Sequence, residues 1–109
     1  MQNMNIGQAI VAMMDGHKCR RAGWIDRDRW VTIEPAQTAA TEQFGSQANR
    51  DYVEAAGGRM MIHPFFTMKK PDGGIMIGWS PTTMDALAFD WYVVPTDGPD
   101  PYAHTYTKP

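Results

Sequence analysis

The sequence predicts an α+β domain in which a small antiparallel sheet packs one face on two short helices. Three observations point there. Ile6, Ala9, Ile10 and Met13 recur at the spacing of one helix face. Trp30, Val31 and Ile33, and again Trp91 to Val94, form β-branched and aromatic runs of strand type. Pro71, Asp72, Gly73 and Gly74 spell a tight turn of the kind that joins antiparallel strands.

Taken in order, the first helix runs from about Ile6 to Asp15. Asn5 is its N-cap and Gln8 the reciprocal third-position partner, and Gly16 suits the left-handed position that stops it. His17 to Trp24 then run out as a strand or extended segment, and polar turn formers at Ile25 to Asp28 lead into the strand at Trp30. From Pro35 to about Gly58 the composition turns to Ala, Thr, Gln, Asn and Ser with few apolar residues, the mark of an insertion. Within it Phe44, Tyr52, Val53 and Ala56 fit one amphipathic helix over about Gln47 to Ala56, ended by Gly57 and Gly58. Met60 to Met68 reads as a strand, with Pro64 placing it at an edge or a bulge. The hairpin turn delivers the chain to a strand at Ile75 to Trp79. Thr82 and Asp85 have capping-box spacing ahead of a short helix from Thr83 to Phe89. A last strand at Trp91 to Val94 precedes a tail that holds four of the eight prolines. The expected organisation is one α+β domain over residues 1–94, with an insertion at about 36–58 and a Pro-rich tail at 95–109 that is flexible or partner-dependent.

Size and charge narrow the function classes. A chain of 109 residues has room for one core. Its net charge of -2 is too weak a field for counterion-release binding to polymeric nucleic acid, though a small phosphate-bearing ligand is compatible with it. Cys19 is the single cysteine, which excludes an internal disulfide framework and fits a reducing compartment. The longest apolar run falls far short of the roughly 20 residues of a membrane span, and the N-terminus lacks a signal-peptide pattern, so the expected setting is the cytoplasm.

The usual catalytic signatures do not assemble. His17, His63 and His104 include no pair at metal-pincer spacing, and no metal or cofactor is expected. Cys19 beside Lys18, Arg20 and Arg21 has an electropositive neighbourhood that would lower a thiol pKa, against the plainer role of a small inward-facing strand residue. No nucleophile elbow, P-loop or dinucleotide fingerprint is present, and nothing calls for an enzyme.

Tryptophan is the unusual feature, with four in this length: Trp24, Trp30, Trp79 and Trp91. Trp30 and Trp91 lie in strand-like runs and read as core. Trp24, after Arg21 and Gly23, and Trp79, just ahead of a helix entrance, each sit where the chain turns. They are either core residues or exposed indoles that stack on a nucleotide base while a guanidinium and free amides face its phosphates. The nine methionines fit core or subunit-interface packing, and so much apolar surface on a small chain favours self-association.

Three stretches carry a family resemblance: Ile6-Gly7-Gln8-Ala9 through Gly16 to Arg21-Ala22-Gly23-Trp24; Pro64-Phe65-Phe66-Thr67-Met68; and Gly78-Trp79-Ser80-Pro81-Thr82-Thr83-Met84-Asp85-Ala86-Leu87-Ala88-Phe89-Asp90-Trp91. Together they resemble the small phage and bacterial Thoeris anti-defence 2 family over about residues 4 to 94. The resemblance implies a non-enzymatic sponge in the cytoplasm of a bacterial host. Such a protein is a homotetramer that sequesters glycocyclic ADP-ribose, and in some members cyclic dinucleotides at separate sites, and so blocks anti-phage immunity. It implies ligand contacts at Arg21, Trp24, Trp79, Thr82 and Asp85, with the two indoles stacking, Arg21 on phosphate and Asp85 on a ribose or base donor. For each there is a plainer role: Thr82 and Asp85 as a capping box only, Arg21 as partner of a surface carboxylate. The sequence departs from the family at Phe89, commonly acidic there, at Met84, often polar, and in the tail.

Two other readings remain open at this stage. One is a phage structural or protein-interaction module with no small-molecule ligand, suggested by the methionines and the tail. The other is a nucleotide hydrolase using Asp85 or Asp90 with a metal.

Overall fold

A computed structural model describes residues 2–26, 28–96 and 100. The expected tail lies mostly outside these residues, as does His104. The chain divides into two compact units, one formed by Met1–Glu34 with Phe65–Pro109 and the other by Pro35–Pro64.

The first unit is α+β. It contains helix α1 (Ile6–Met14), strands β1 (Cys19–Arg21) and β2 (Trp30–Glu34), strands β5 (Phe65–Lys69) and β6 (Ile75–Ile77), helix α3 (Thr83–Leu87) and strand β7 (Trp91–Val93). The strands form one antiparallel sheet in the order β6-β5-β2-β1-β7. Register and the two-residue side-chain period set its faces. Cys19 lies opposite Val31 and Val93, Val31 opposite Met68, and Ile33 opposite Phe66, so these residues share the face that α1 covers. There Met4, Ala9, Met13, Cys19, Val31, Met68 and Trp91 are buried in one cluster with Trp24.

The ends of α1 follow the sequence signals. Asn5 Oδ1 accepts from the Gln8 amide at 2.8 Å while Gln8 Oε1 accepts from the Asn5 amide at 2.9 Å, and Gly16 takes a φ of 96° after the last turn. The hairpin at Lys70 to Gly74 closes through Lys70 N to Gly74 O at 2.8 Å. β6 is shorter than expected because Gly78, at φ 89°, turns the chain away before Trp79.

The second unit pairs strands β3 (Gln37–Ala40) and β4 (Arg59–Ile62), with a 3-10 turn at Thr41–Gln43 and helix α2 (Gln47–Ala55) between them. Ser46 caps α2 through its hydroxyl, and Ala39 of β3 and Val53 of α2 are the buried residues of this unit. β3 was not expected at all, since Gln37-Thr38-Ala39-Ala40 carries almost no β-branched or aromatic signal; pairing with the stronger Met60-Met61-Ile62 imposes it. The single strand expected from Met60 to Met68 is also corrected. The chain breaks at His63-Pro64 into β4 and β5, which belong to different sheets, because proline has no amide to give a ladder.

Candidate functional site

Three backbone devices bring the expected site residues together within the first unit. β1 delivers Arg21 and pairs it with Trp91 of β7. The turn after β1 delivers Trp24, and it is tied down by Arg20, which is 1% exposed. The Arg20 guanidinium donates to the carbonyls of Trp24 at 2.8 Å, Asp26 at 3.0 Å and Arg29 at 3.1 Å, leaving that loop little freedom. The third device is the capping box of α3: Thr82 Oγ1 accepts from the Asp85 amide at 3.2 Å, and Asp85 Oδ2 accepts from the Thr82 amide at 3.1 Å.

Asp85 is the hub. Its Oδ1 accepts from Arg21 Nη1 at 3.0 Å and from the Trp24 indole N–H at 3.1 Å, while its backbone carbonyl accepts from the Trp91 indole at 2.9 Å. Burial alone would push the Asp85 carboxyl up; the Thr82 amide, the Arg21 guanidinium and the Trp24 indole outweigh it and hold the carboxyl below its ordinary range. Arg21 also reaches Asp90, donating from Nε to Oδ1 at 2.8 Å. The hydrogen bond to Asp90 is the largest cause that raises the Arg21 pKa further, against the cost of burial and with help from Asp85. Asp90 Oδ2 in turn accepts from the Gly23 amide at 2.8 Å.

The aromatic rings close the cluster. Trp24 meets Trp91 edge-on at 5.3 Å and Trp79 at 6.2 Å, and Trp79 meets Phe66 at 5.6 Å. The Arg29 guanidinium lies 4.4 Å from the Trp24 ring centroid. Trp24 is therefore 6% exposed and not the open indole that its place in a turn suggested; the Arg20 clamp and the bond to Asp85 draw it inward. Trp79 is half-buried and Thr82 exposed, so these two stand at the rim of the cluster while Arg21, Trp24 and Asp85 form its interior.

Sequence reasoning missed the parts played by Gly23, Asp90 and Trp91. Asp90 and Trp91 close the third stretch that carries the family resemblance, but their reach across the fold depends on the β1–β7 register, which the sequence does not state. Trp91 is fully buried, as its strand context suggested. Trp30 is not core. It lies half-buried on the opposite face of the sheet, where Lys18 Nζ sits 5.0 Å from its ring centroid. On that face Trp30, Thr32 and Glu34 of β2, Phe65 and Thr67 of β5, and Ile75 and Ile77 of β6 line a groove of about 410 Å³.

Cys19 takes the plainer of its two roles, a small inward-facing strand residue. Its thiol is fully buried, 3.8 Å from the Ala9 carbonyl, and burial pushes its pKa up to about 11. Among the described residues no three His, Cys, Asp or Glu side chains gather as a metal site, and no helix is long and apolar enough to cross a membrane.

The family model for the Thoeris anti-defense 2-like (Tad2-like) domain matches residues 4–94. The chain belongs to that family. The matched span has a physical counterpart in the sheet: it opens at Met4, whose amide donates to the Trp91 carbonyl, and closes at Val94, whose amide donates to the Lys18 carbonyl, both at 2.8 Å. A comparison with curated proteins finds no match. The cluster around Asp85 is thus built from segments at both ends of this Thoeris anti-defense 2-like domain, and membership in an anti-defence family is the functional statement it carries.

Proposed function

We propose that this protein is a non-enzymatic sponge of phage origin. In the cytoplasm of a bacterial host it binds a cyclic nucleotide immune signal, glycocyclic ADP-ribose or a cyclic dinucleotide, and keeps it from its receptor. The observation that carries the reading is the family membership over residues 4–94. The geometry around Asp85 supports it in one respect: a site that only holds a ligand needs rigid walls, and this cluster is cross-tied by two ion pairs and three indoles.

Within the proposal the five site residues divide their work. Trp79 and Thr82, at the rim, make the contacts: the indole by stacking or edge contact with a base, the hydroxyl by donating to a ribose or phosphate oxygen. Arg21, Trp24 and Asp85 position them, because their own hydrogen bonds are directed at one another. Self-association, a tetramer by the family resemblance, belongs to the same proposal.

Isothermal titration of the purified protein with glycocyclic ADP-ribose and with cyclic dinucleotides tests it. Saturable binding of any one supports the proposal; silence toward all of them at tens of micromolar overturns it.

A further inference from the structure

Helix α3 turns a second, opposite face to solvent. Asp85 points inward to Arg21 and Trp24, and Ala88 packs on the core; Met84 and Leu87, three residues apart, therefore share the outward side. Beyond the helix the backbone extends at Ala88, and Asp90 turns in to Arg21, so the intervening Phe89 turns out. Met84, Leu87 and Phe89 are 74%, 72% and 74% exposed. Met84 and Leu87 lie on the helix and Phe89 two residues beyond its end.

We infer that this ridge is the contact surface for a second copy of the chain, seated ridge to ridge about a two-fold axis. Its area fits: three large side chains at this exposure present about 400 Å² of apolar surface. A self-paired ridge covers about twice that, and the flanking Thr83 and Pro81 bring the total to the roughly 1,000 Å² that a specific interface requires. Its charge fits as well. The helix has no basic residue in its last turn, and its one acidic residue faces the interior. A lipid surface or a nucleic acid would call for lysine or arginine beside the apolar residues. An uncharged ridge calls for another uncharged ridge, and a two-fold pairing supplies one from the same sequence.

The inference names a surface for the self-association proposed above, but it does not rest on nucleotide binding, and its test uses protein without ligand. Light scattering on the full chain gives the assembled mass at tens of micromolar, with circular dichroism to confirm folding. Wild type is expected above one chain mass. Phe89→Lys and Leu87→Lys are expected to lower the mass at least twofold, and Ile75→Lys, on the exposed sheet edge, to leave it unchanged. A wild type of one chain mass, folded ridge variants of unaltered mass, or a fall only in Ile75→Lys overturns the inference. A second route tolerates weak folding of the lysine variants. Cys19 is buried, so Phe89→Cys supplies the accessible thiol, and mild oxidation is expected to link copies faster than in Ile75→Cys. Equal or slower linkage contradicts the ridge contact.

Discussion

Gly23 and Asp90 approach so closely that a β-carbon at position 23 would stand 2.8 Å from Asp90 Oδ2. The same oxygen accepts the Gly23 amide at 2.8 Å, and the neighbouring oxygen accepts Arg21 Nε. The glycine of the Arg-x-Gly-Trp element is thus explained by space: only without a side chain can the turn after β1 press its backbone on a carboxylate that arginine already holds.

Gly23→Ala is accordingly expected to destabilise the fold by about 1 to 3 kcal/mol, as Asp90 is forced off Arg21 or the turn shifts. Gly45→Ala, where an added β-carbon meets nothing within 4 Å and φ is not in the left-handed region, is expected to be neutral or slightly stabilising. Chemical denaturation of the two variants beside wild type measures the difference; equal stability of both would refute the role given to position 23.

Asp85→Asn removes the charge at the hub while keeping its shape. A loss of about 3 kcal/mol is expected, since Asn keeps only one of the two acceptor oxygens: its NH2 must face either the Thr82 amide or the Arg21 and Trp24 donors, and the Arg21 charge loses a buried counter-charge. The pH dependence follows from the sign of the shift. The folded Asp85 carboxyl lies below its ordinary 3.8, so its contribution is complete above that value and disappears as the pH falls through the folded value. Wild type is expected to lose stability over that acid window, and Asp85→Asn to show a shallower slope there. Identical acid slopes for the two proteins would contradict the assignment.

Cys19 is expected to resist thiol reagents in the native state. At pH 8 a thiol with a pKa near 11 is almost wholly protonated, and this one is also fully buried. Ellman's reagent should react with it only at the rate of unfolding and react promptly in denaturant. Prompt modification of the folded protein would show the site to be open.

Much of the fold was legible. Helices begin where side-chain caps announce them, at Asn5 and Thr82, because capping is a local event written within four residues. β3 was not legible, because Ala39 and Ala40 become strand only through the partner they meet. The site was half legible for the same reason. Arg21, Trp24, Trp79, Thr82 and Asp85 could be singled out, but whether an indole faces water depends on distant tethers such as Arg20, whose carbonyl partners leave no trace in residue type. Exposure belongs to the tertiary structure, and a tryptophan in a turn can be drawn inward.

The two indoles are expected to respond differently to truncation. Trp24→Ala opens a cavity in the buried cluster and should cost about 3 to 5 kcal/mol of stability, so any loss of binding in it reports on folding. Trp79→Ala, at the half-buried rim, should cost less stability and weaken nucleotide binding by about 1 to 3 kcal/mol. Thermal unfolding and calorimetry on the same samples separate the two; a folded Trp79→Ala that binds as wild type would remove Trp79 from the contacts.

The most direct measurement is mass spectrometry of nucleotide recovered by denaturing the protein after it has been expressed in cells producing the immune signal. A sponge returns glycocyclic ADP-ribose or a cyclic dinucleotide at its intact mass, in near-stoichiometric amount. A linear or hydrolysed product, or protein that carries no nucleotide after such exposure, would contradict sequestration.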